Sequence, residues 1–186
     1  GARLSLDMLI VHGIRNQLRN TVNVLDTMQV SVQDVAFSGI CSGLAVLTPE
    51  QRKSGVLLID LGGGKTDFVI YSDSVVAAAG VLGVGGDHVT NDIAIGFSIP
   101  VAQAERLKRD AGSATVDFPG AAQRVAIANE GGFAGRSVPL RSLHTIINAR
   151  ADEMLRLLKR RVEAVMPLHQ LGAGVGRGRV EGGHQV

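Results

Sequence analysis

The segment that most constrains what this chain can fold into is GVLLIDLGGGKTDF, at residues 55–68. Four apolar residues at 56–59 lead into Asp60, and after Leu61 come three consecutive glycines, Gly62, Gly63 and Gly64. A short apolar run bounded in this way predicts a buried β-strand, and a carboxylate at its end can project into the turn that follows. The glycines let the backbone approach a ligand closely and leave N–H groups that can face an anion.

The residues on either side of the glycines supply polar groups suited to phosphate and a metal ion. Lys65 adds a cation that can take phosphate oxygens together with the glycine amides, and Thr66 adds a hydroxyl. Asp60 can hold Mg²⁺ directly or through water. A tight hairpin, with Asp60 bonding to its own backbone, explains the segment alone equally well. The segment matches neither the G-x-x-x-x-G-K-[ST] nor the G-x-G-x-x-G phosphate motif.

A second glycine cluster follows at Gly85 and Gly86, between a predicted strand and a predicted helix. The first amides of that helix should point back at the cluster, and a helix N-terminus is a natural anion site. Asp87 serves either as a ligand-facing acid or as a plain N-cap of the helix. The two clusters together predict a pair of turns that clasp one nucleotide from opposite sides.

Glu105 and Lys108 are the third candidate element. They are three residues apart on a predicted helix and therefore share a face. The spacing alone favours an ordinary surface ion pair, worth about 0.3 kcal/mol. The functional alternative is a polar pair that reaches the ribose or base of a nucleotide.

Composition excludes several classes of protein. The chain has five Phe, one Tyr and no Trp, which argues against base-stacking platforms, and its net charge of +2 is too small to indicate nucleic acid as a partner. Cys41 is the single cysteine, so no disulfide can form within the chain; we expect a buried thiol and a cytosolic setting. No run of 18 apolar residues exists to span a bilayer. The chain opens at Gly1 without Met, and we expect a fragment.

Periodicity predicts an α/β chain containing a three-stranded antiparallel meander. The predicted strands lie at 6–11, 30–37, 56–59, 66–71 and 75–81, with short ones at 115–118, 124–128 and 137–140. Helices are predicted at 16–28, 39–47, 88–97, 101–111 and 143–165. A polar loop is predicted at 49–55, and the glycine-rich residues from Leu171 onward are predicted to be a disordered tail.

Together these motifs resemble the actin-like ATPase superfamily and, within it, the FtsA family of bacterial cell-division proteins. The segment DLGGGKTD, at 60–67, is similar to the superfamily's second phosphate motif. GGDHVTNDIA, at 85–94, is similar to the FtsA stretch after the strand meander, and AERLK, at 104–108, to the helix whose acid and lysine approach the nucleoside. The similarity runs from about Leu6 to Val165.

The resemblance implies an actin-like, ribonuclease H-like α/β lobe with a mixed sheet and flanking helices, plus a small appended α+β subdomain. The implied division is the end of a first lobe with an inserted subdomain, the core of the second lobe, the small subdomain, a returning long helix and a disordered tail, at 1–54, 55–100, 101–145, 146–170 and 171–186. The family's first phosphate motif and its C-terminal membrane helix are absent, and Lys65 stands where the family has a small residue. The adenosine motif should fall near Leu171.

The resemblance also implies a function. Asp60 would help hold Mg²⁺ and a bridging water, and ATP would bind between the two turns. Gly62 to Gly64 and Thr66 would face the phosphates, Gly85 and Gly86 would close the other side, and Glu105 and Lys108 would approach the sugar or base. The family tethers the FtsZ ring to the inner membrane from the cytoplasm and forms protofilaments, with ATP hydrolysis slow at most. The alternatives are a phosphotransferase with Asp67 as its base and a pilus-assembly scaffold.

Overall fold

The structure is a computed structural model that describes residue 4, residues 8–120, 122–127 and 135–167, and the backbone of 173–177. It comprises two compact units. The first contains Gly1–Leu58, Phe68–Gly80 and Leu171–Val175, and the second contains Ile59–Asp67, Val81–Gln170 and Gly176–Val186.

The chain combines helices and strands, as the α/β prediction requires. The helices are α1 (Arg15–Thr27), α2 (Ser38–Val46), α3 (Pro49–Ser54), α4 (Gly86–Phe97), α5 (Val101–Ala111) and α6 (Leu140–Glu163). The strands are β1 (Val56–Leu61), β2 (Thr66–Ser72), β3 (Val75–Leu82), β4 (Arg124–Ile127), β5 (Arg136–Pro139) and β6 (Ala173–Arg177). Five of the predicted helices are confirmed, and Gly112 is the C-cap of α5 as expected.

The main sheet has the strand order β3-β2-β1-β6. The links from β1 to β2 and from β2 to β3 are too short for a parallel crossover, so the predicted antiparallel meander is confirmed. In the second link Asp73 and Ser74 have φ values of 50° and 69°, the left-handed geometry of a two-residue hairpin turn. Their amides donate to the carbonyls of Lys53 (3.2 Å) and Arg52 (3.1 Å), so the turn also caps the end of α3.

In the first unit, β2 is buried on both faces. Helix α2 packs so closely against β2 that two of its positions have no room for a side chain. A Cβ on Gly39 would lie 2.9 Å from Val69 Cγ2, and one on Gly43 would lie 2.6 Å from the Tyr71 hydroxyl. The glycines therefore form the packing face of α2. Cys41 is exposed, so the prediction of a buried thiol is wrong.

The second unit packs α4, α5 and α6 with the β4–β5 hairpin around a continuous apolar core. The buried members of this core are Val89, Ile93, Ala94, Ile99, Ala104, Leu107, Ile127, Val138, Leu143 and Ile147. Arg150 on α6 holds α4 through two hydrogen bonds to the Asp92 carboxylate, of 2.6 and 2.8 Å. A bidentate guanidinium–carboxylate pair fixes orientation as well as distance.

Four further predictions fail in the described residues. No strand forms at 8–11, 30–37 or 115–118, and residues 6 and 7 lie outside the described part. The predicted polar loop at 49–55 is instead helix α3, because Thr48 and Gln51 form a reciprocal capping box with bonds of 3.2 and 2.9 Å.

The remaining difference concerns the glycine-rich end of the chain. Residues 173–177 form strand β6 beside β1, where the sequence predicted disorder; the rest of that tail lies outside the described residues. No helix in the described part of the chain is both long and apolar enough to cross a membrane.

Tyr71 gives a test of the packing in the first unit. Its hydroxyl is buried and has no hydrogen-bond partner among the described residues. We expect Tyr71→Phe to raise the free energy of unfolding by about 1 kcal/mol at neutral pH, because a buried hydroxyl without a partner is a cost that phenylalanine removes. Urea unfolding measures this difference.

Burial also raises the pKa of Tyr71 above its ordinary value of 10.0. The unfolded chain therefore releases this proton more readily, and the wild type should lose stability as the pH rises above 10, relative to Tyr71→Phe. Because Tyr71 is the only tyrosine, phenolate absorbance reports it alone. An ordinary titration near 10 in the folded protein would contradict the buried environment.

Candidate functional site

The two glycine turns predicted to converge do converge. The Gly86 amide donates to the Gly62 carbonyl at 3.0 Å, and the Asp87 amide donates to the Gly63 carbonyl at 2.9 Å. The first turn is itself closed by a bond of 2.9 Å from the Gly62 amide to the Lys65 carbonyl. The start of α4 is therefore joined to the turn after β1 through paired backbone hydrogen bonds.

This docking changes which backbone N–H groups can donate hydrogen bonds to an anion. The first two amides of α4 serve the carbonyls of the first turn, so the expected free helix N-terminus is not available. Within the described residues, the amides of Gly63 and Gly64 have no hydrogen-bond acceptor, and both residues are exposed. The groups able to face an anion are therefore these two amides of the first turn.

Gly85 is the residue that the docking requires to be glycine. A Cβ built there would overlap the carbonyl oxygens of both Gly62 and Gly63. A Cβ on Gly83, two residues earlier in the same loop, would meet nothing within 4 Å. Of these two glycines, only Gly85 must therefore lack a side chain for the two turns to approach each other.

Thr66 contributes to the site differently from the prediction. Its side chain is buried, with 2% exposure, and its hydroxyl donates to the Val84 carbonyl at 2.7 Å. The prediction that this hydroxyl faces phosphates is wrong. Thr66 instead ties the start of β2 to the loop that carries Gly85.

Charged side chains surround the first turn. Asp60 is half-buried near the end of β1, two residues before Gly62. The Lys65 ammonium lies 2.7 Å from Oδ2 of the buried Asp67, while 53% of the Lys65 side chain is exposed. The Asp87 carboxylate oxygens lie 3.1 and 3.2 Å from the position of a Cβ built on Gly63. Two carboxylates and one lysine thus lie close to the turn.

The structure decides the role of Asp87 in α4. Gly85 is the N-cap of α4, and its amide donates to Nδ1 of His88 at 3.2 Å. Asp87 lies inside the first turn of the helix, where a carboxylate is favourable to the helix dipole. The N-cap alternative for Asp87 is therefore wrong.

Glu105 and Lys108 are joined to α4 and are not an ordinary surface pair. Their side chains form an ion pair of 2.7 Å, with Lys108 only 14% exposed and Glu105 35% exposed. The Lys108 ammonium also donates to the Gly86 carbonyl (3.2 Å) and to the Thr90 hydroxyl (2.8 Å), and that hydroxyl contacts Glu105 Oε2. Burial raises the pKa of Glu105, but the bonds from Lys108 and Thr90 and the charge of Lys108 outweigh it and hold the pKa below 4.5.

Sequence reasoning missed Thr90. It lies four residues after Gly86, among the buried apolar positions of α4, and is itself 3% exposed. A polar residue on the apolar face of a helix needs a hydrogen-bond partner. This position in the helix pattern is the feature of the sequence that indicates a role for Thr90. The identity of the partners depends on how α5 packs, which a single helix pattern does not contain.

A magnesium ion fits this donor set only together with a ligand. The described residues contain no group of three His, Cys, Asp or Glu side chains able to hold a metal. Mg²⁺ commonly uses one or two carboxylates plus phosphate oxygens and keeps several waters. Asp60 and Asp87 are suited to that arrangement, since a phosphate beside two carboxylates needs a cation to balance the charge.

Solved structures with the actin-like fold are similar to this one. The chain superimposes on MreB5 of Spiroplasma citri bound to ADP with a TM-score of 0.70 and 17% identity, covering 89% of this chain and 54% of that one. For MreB 5 of the same organism bound to AMPPNP, the TM-score is 0.69, again at 17% identity, with 88% and 54% covered. The predicted fold class is confirmed: this is an actin-like ATPase fold.

The sequence comparisons identify the family more narrowly. The family profile for cell division protein FtsA matches residues 57–185, and the chain belongs to this family. The FtsA protein of Buchnera aphidicola subsp. Schizaphis graminum is 29% identical over 162 residues, covering 87% of this chain and 39% of the relative. That of Escherichia coli strain K12 is 28% identical over 193 residues, covering 98% and 46%. The chain thus spans less than half the length of these relatives.

Gly85→Ala tests the docking of the two turns. We expect it to lower the free energy of unfolding by about 1–3 kcal/mol, because the added methyl group must push apart two backbone segments that are hydrogen-bonded to each other. The matched control is Gly83→Ala, which places the same methyl group in open space. Urea unfolding of both variants checks the expectation, and equal stability for the two would contradict the docking geometry.

Proposed function

We propose that this chain forms the nucleotide-binding part of an actin-like division protein that binds ATP with Mg²⁺. The observation that carries the proposal is the docking of the two turns, which leaves the amides of Gly63 and Gly64 exposed beside Lys65. Backbone amides of successive residues and a nearby lysine form a concave phosphate site. The MreB5 structures with ADP and AMPPNP support the proposal, since they share this fold and their ligands are adenine nucleotides.

In this proposal the acids have separate roles. Asp60, at the end of β1, would hold the metal ion, and Asp87 would face the same turn from the start of α4. Mg²⁺ would supply the positive charge that lets triphosphate lie between two carboxylates. Gly85 and Gly86 would close the opposite side of the turn, and Glu105 and Lys108 would approach the sugar or base.

ATP in this proposal acts as a conformational ligand, with hydrolysis slow at most. A nucleotide shifts a protein toward an assembly-competent state only if it binds that state better. The phosphotransferase alternative loses its candidate base, because Asp67 is buried and its Oδ2 is ion-paired with Lys65. A general base must reach the substrate proton that it removes.

The proposal extends to partners and location through the family. We propose that the complete gene product binds FtsZ, assembles with itself into protofilaments, and works in the cytoplasm at the inner membrane of the division site through a C-terminal segment outside this chain. The division at 1–54, 55–100, 101–145, 146–170 and 171–186 also remains a prediction.

The metal role is tested by replacing Asp60 in the complete gene product. We expect Asp60→Ala to weaken Mg-ATP binding about a hundredfold, and Glu105→Ala by less, because only the first removes a ligand of the cation. Calorimetric titration measures both affinities. The matched control is Asp110→Ala, which removes an exposed carboxylate from α5. Equal affinities for wild type and Asp60→Ala would rule out the metal role.

The partner proposal is tested by sedimentation with assembled FtsZ filaments. We expect the complete gene product to pellet with the filaments and, when ATP is present, to pellet alone as its own polymer. Asp60→Ala should reduce pelleting of the protein alone with ATP. The variant binds Mg-ATP more weakly, and Mg-ATP is the ligand that shifts the protein toward its assembly-competent state. A wild-type protein that stays in the supernatant under both conditions would contradict the proposed partners.

A further inference from the structure

Thr90 lies where three polar groups of the second unit meet. It is buried one turn into α4, and its hydroxyl lies 3.2 Å from the Gly86 carbonyl oxygen. The Thr90 hydroxyl oxygen also accepts a bond of 2.8 Å from the Lys108 ammonium and contacts Oε2 of Glu105. A single hydroxyl group therefore joins the first turn of α4 to α5.

The donors and acceptors of this triad, Thr90, Glu105 and Lys108, can be counted. An ammonium has three N–H donors and no acceptor. Lys108 directs them at Glu105 Oε2 (2.7 Å), the Thr90 hydroxyl (2.8 Å) and the Gly86 carbonyl (3.2 Å). All three donors are therefore directed at groups of α4 and α5, which ties the first turn of α4 to α5.

Gly86 connects the triad to the first glycine turn. Its carbonyl accepts from Lys108, and its amide donates to the Gly62 carbonyl at 3.0 Å. A Cβ built on Gly86 would lie 3.6 Å from the Lys108 ammonium, so the cation lies directly against this residue. A continuous hydrogen-bonded path therefore runs from Thr90 and Lys108 through Gly86 to Gly62.

We propose that Thr90 is a positioning residue for the phosphate site, and that Lys108 acts with it in this role. The triad fixes the first turn of α4, which fixes Gly62, and so directs the amides of Gly63 and Gly64 toward phosphate. This inference rests on the proposed function, because it assigns the triad a role in that same site.

The test compares four substitutions in the complete gene product, one of which is a control. Thr90→Val keeps the side-chain shape and removes the hydroxyl, while Thr90→Ser keeps the hydroxyl. The matched control is Thr145→Val on α6, which removes an exposed hydroxyl that donates to the Arg141 carbonyl four residues earlier at 2.8 Å. A second variant, Lys108→Met, covers the case in which Thr90→Val fails to fold.

Two measurements are made on each variant. The first is amide hydrogen exchange at Gly86 and Asp87 without ligand. The second is the affinity for ATP and for inorganic tripolyphosphate, both with Mg²⁺. We expect Thr90→Val and Lys108→Met to speed exchange about tenfold and to weaken both ligands about tenfold, because the triad acts on the phosphate turn. Thr90→Ser and Thr145→Val should stay close to wild type.

The outcomes separate this inference from the proposed function. A wild type that binds neither ligand overturns the proposed function and the inference with it. If the wild type binds both and Thr90→Val binds them equally well, only the inference fails. Weakened binding of ATP with unchanged binding of tripolyphosphate would also overturn it, because the triad would then act on the nucleoside.

Discussion

The structure around the site depends on two backbone hydrogen bonds, from Gly86 to Gly62 and from Asp87 to Gly63. They join the turn after β1 to the start of α4, and they require a residue without a Cβ at Gly85. They also use the helix amides that would otherwise have faced an anion, which leaves the turn's own amides for that task. A helix start is usually treated as a ready anion site, but here it serves to shape the turn that carries the donors.

Around this contact the polar side chains fall into two groups with different tasks. Thr66, Thr90 and Lys108 direct their hydrogen bonds into the protein and hold the backbone in place. Asp60, Asp87 and the exposed part of Lys65 surround the turn itself. The groups that hold the backbone in place are thus separate from the charged groups beside the turn, and the second group has a fixed geometry only if the first is rigid.

The sequence predicted the elements best where periodicity and punctuation agree, as in α5, whose start and end at Val101 and Ala111 were both correct. The prediction of a strand at 30–37 failed, and Val30 and Val35 lie exposed there. A pattern of valines favours a strand, but a strand also needs a neighbouring strand to pair with, which the pattern does not supply. Helix α3 lies in a stretch whose polar composition predicts a loop, although Thr48 and Gln51 have the spacing of a capping box. In the site, motif order predicted the convergence of the turns, but the partners of Thr66 and Thr90 depend on tertiary packing.

The link between Arg150 and Asp92 has a mechanical consequence. Helix α6 has 24 residues and is about 36 Å long, and this guanidinium holds it to α4 near its middle. From Arg150 to Glu163 the helix extends about 20 Å, so a tilt of about 5° passed on from α4 would move its far end by nearly 2 Å. Leu158 and Val162, in the part of the helix beyond Arg150, are buried, so such a tilt would also displace core side chains at that end.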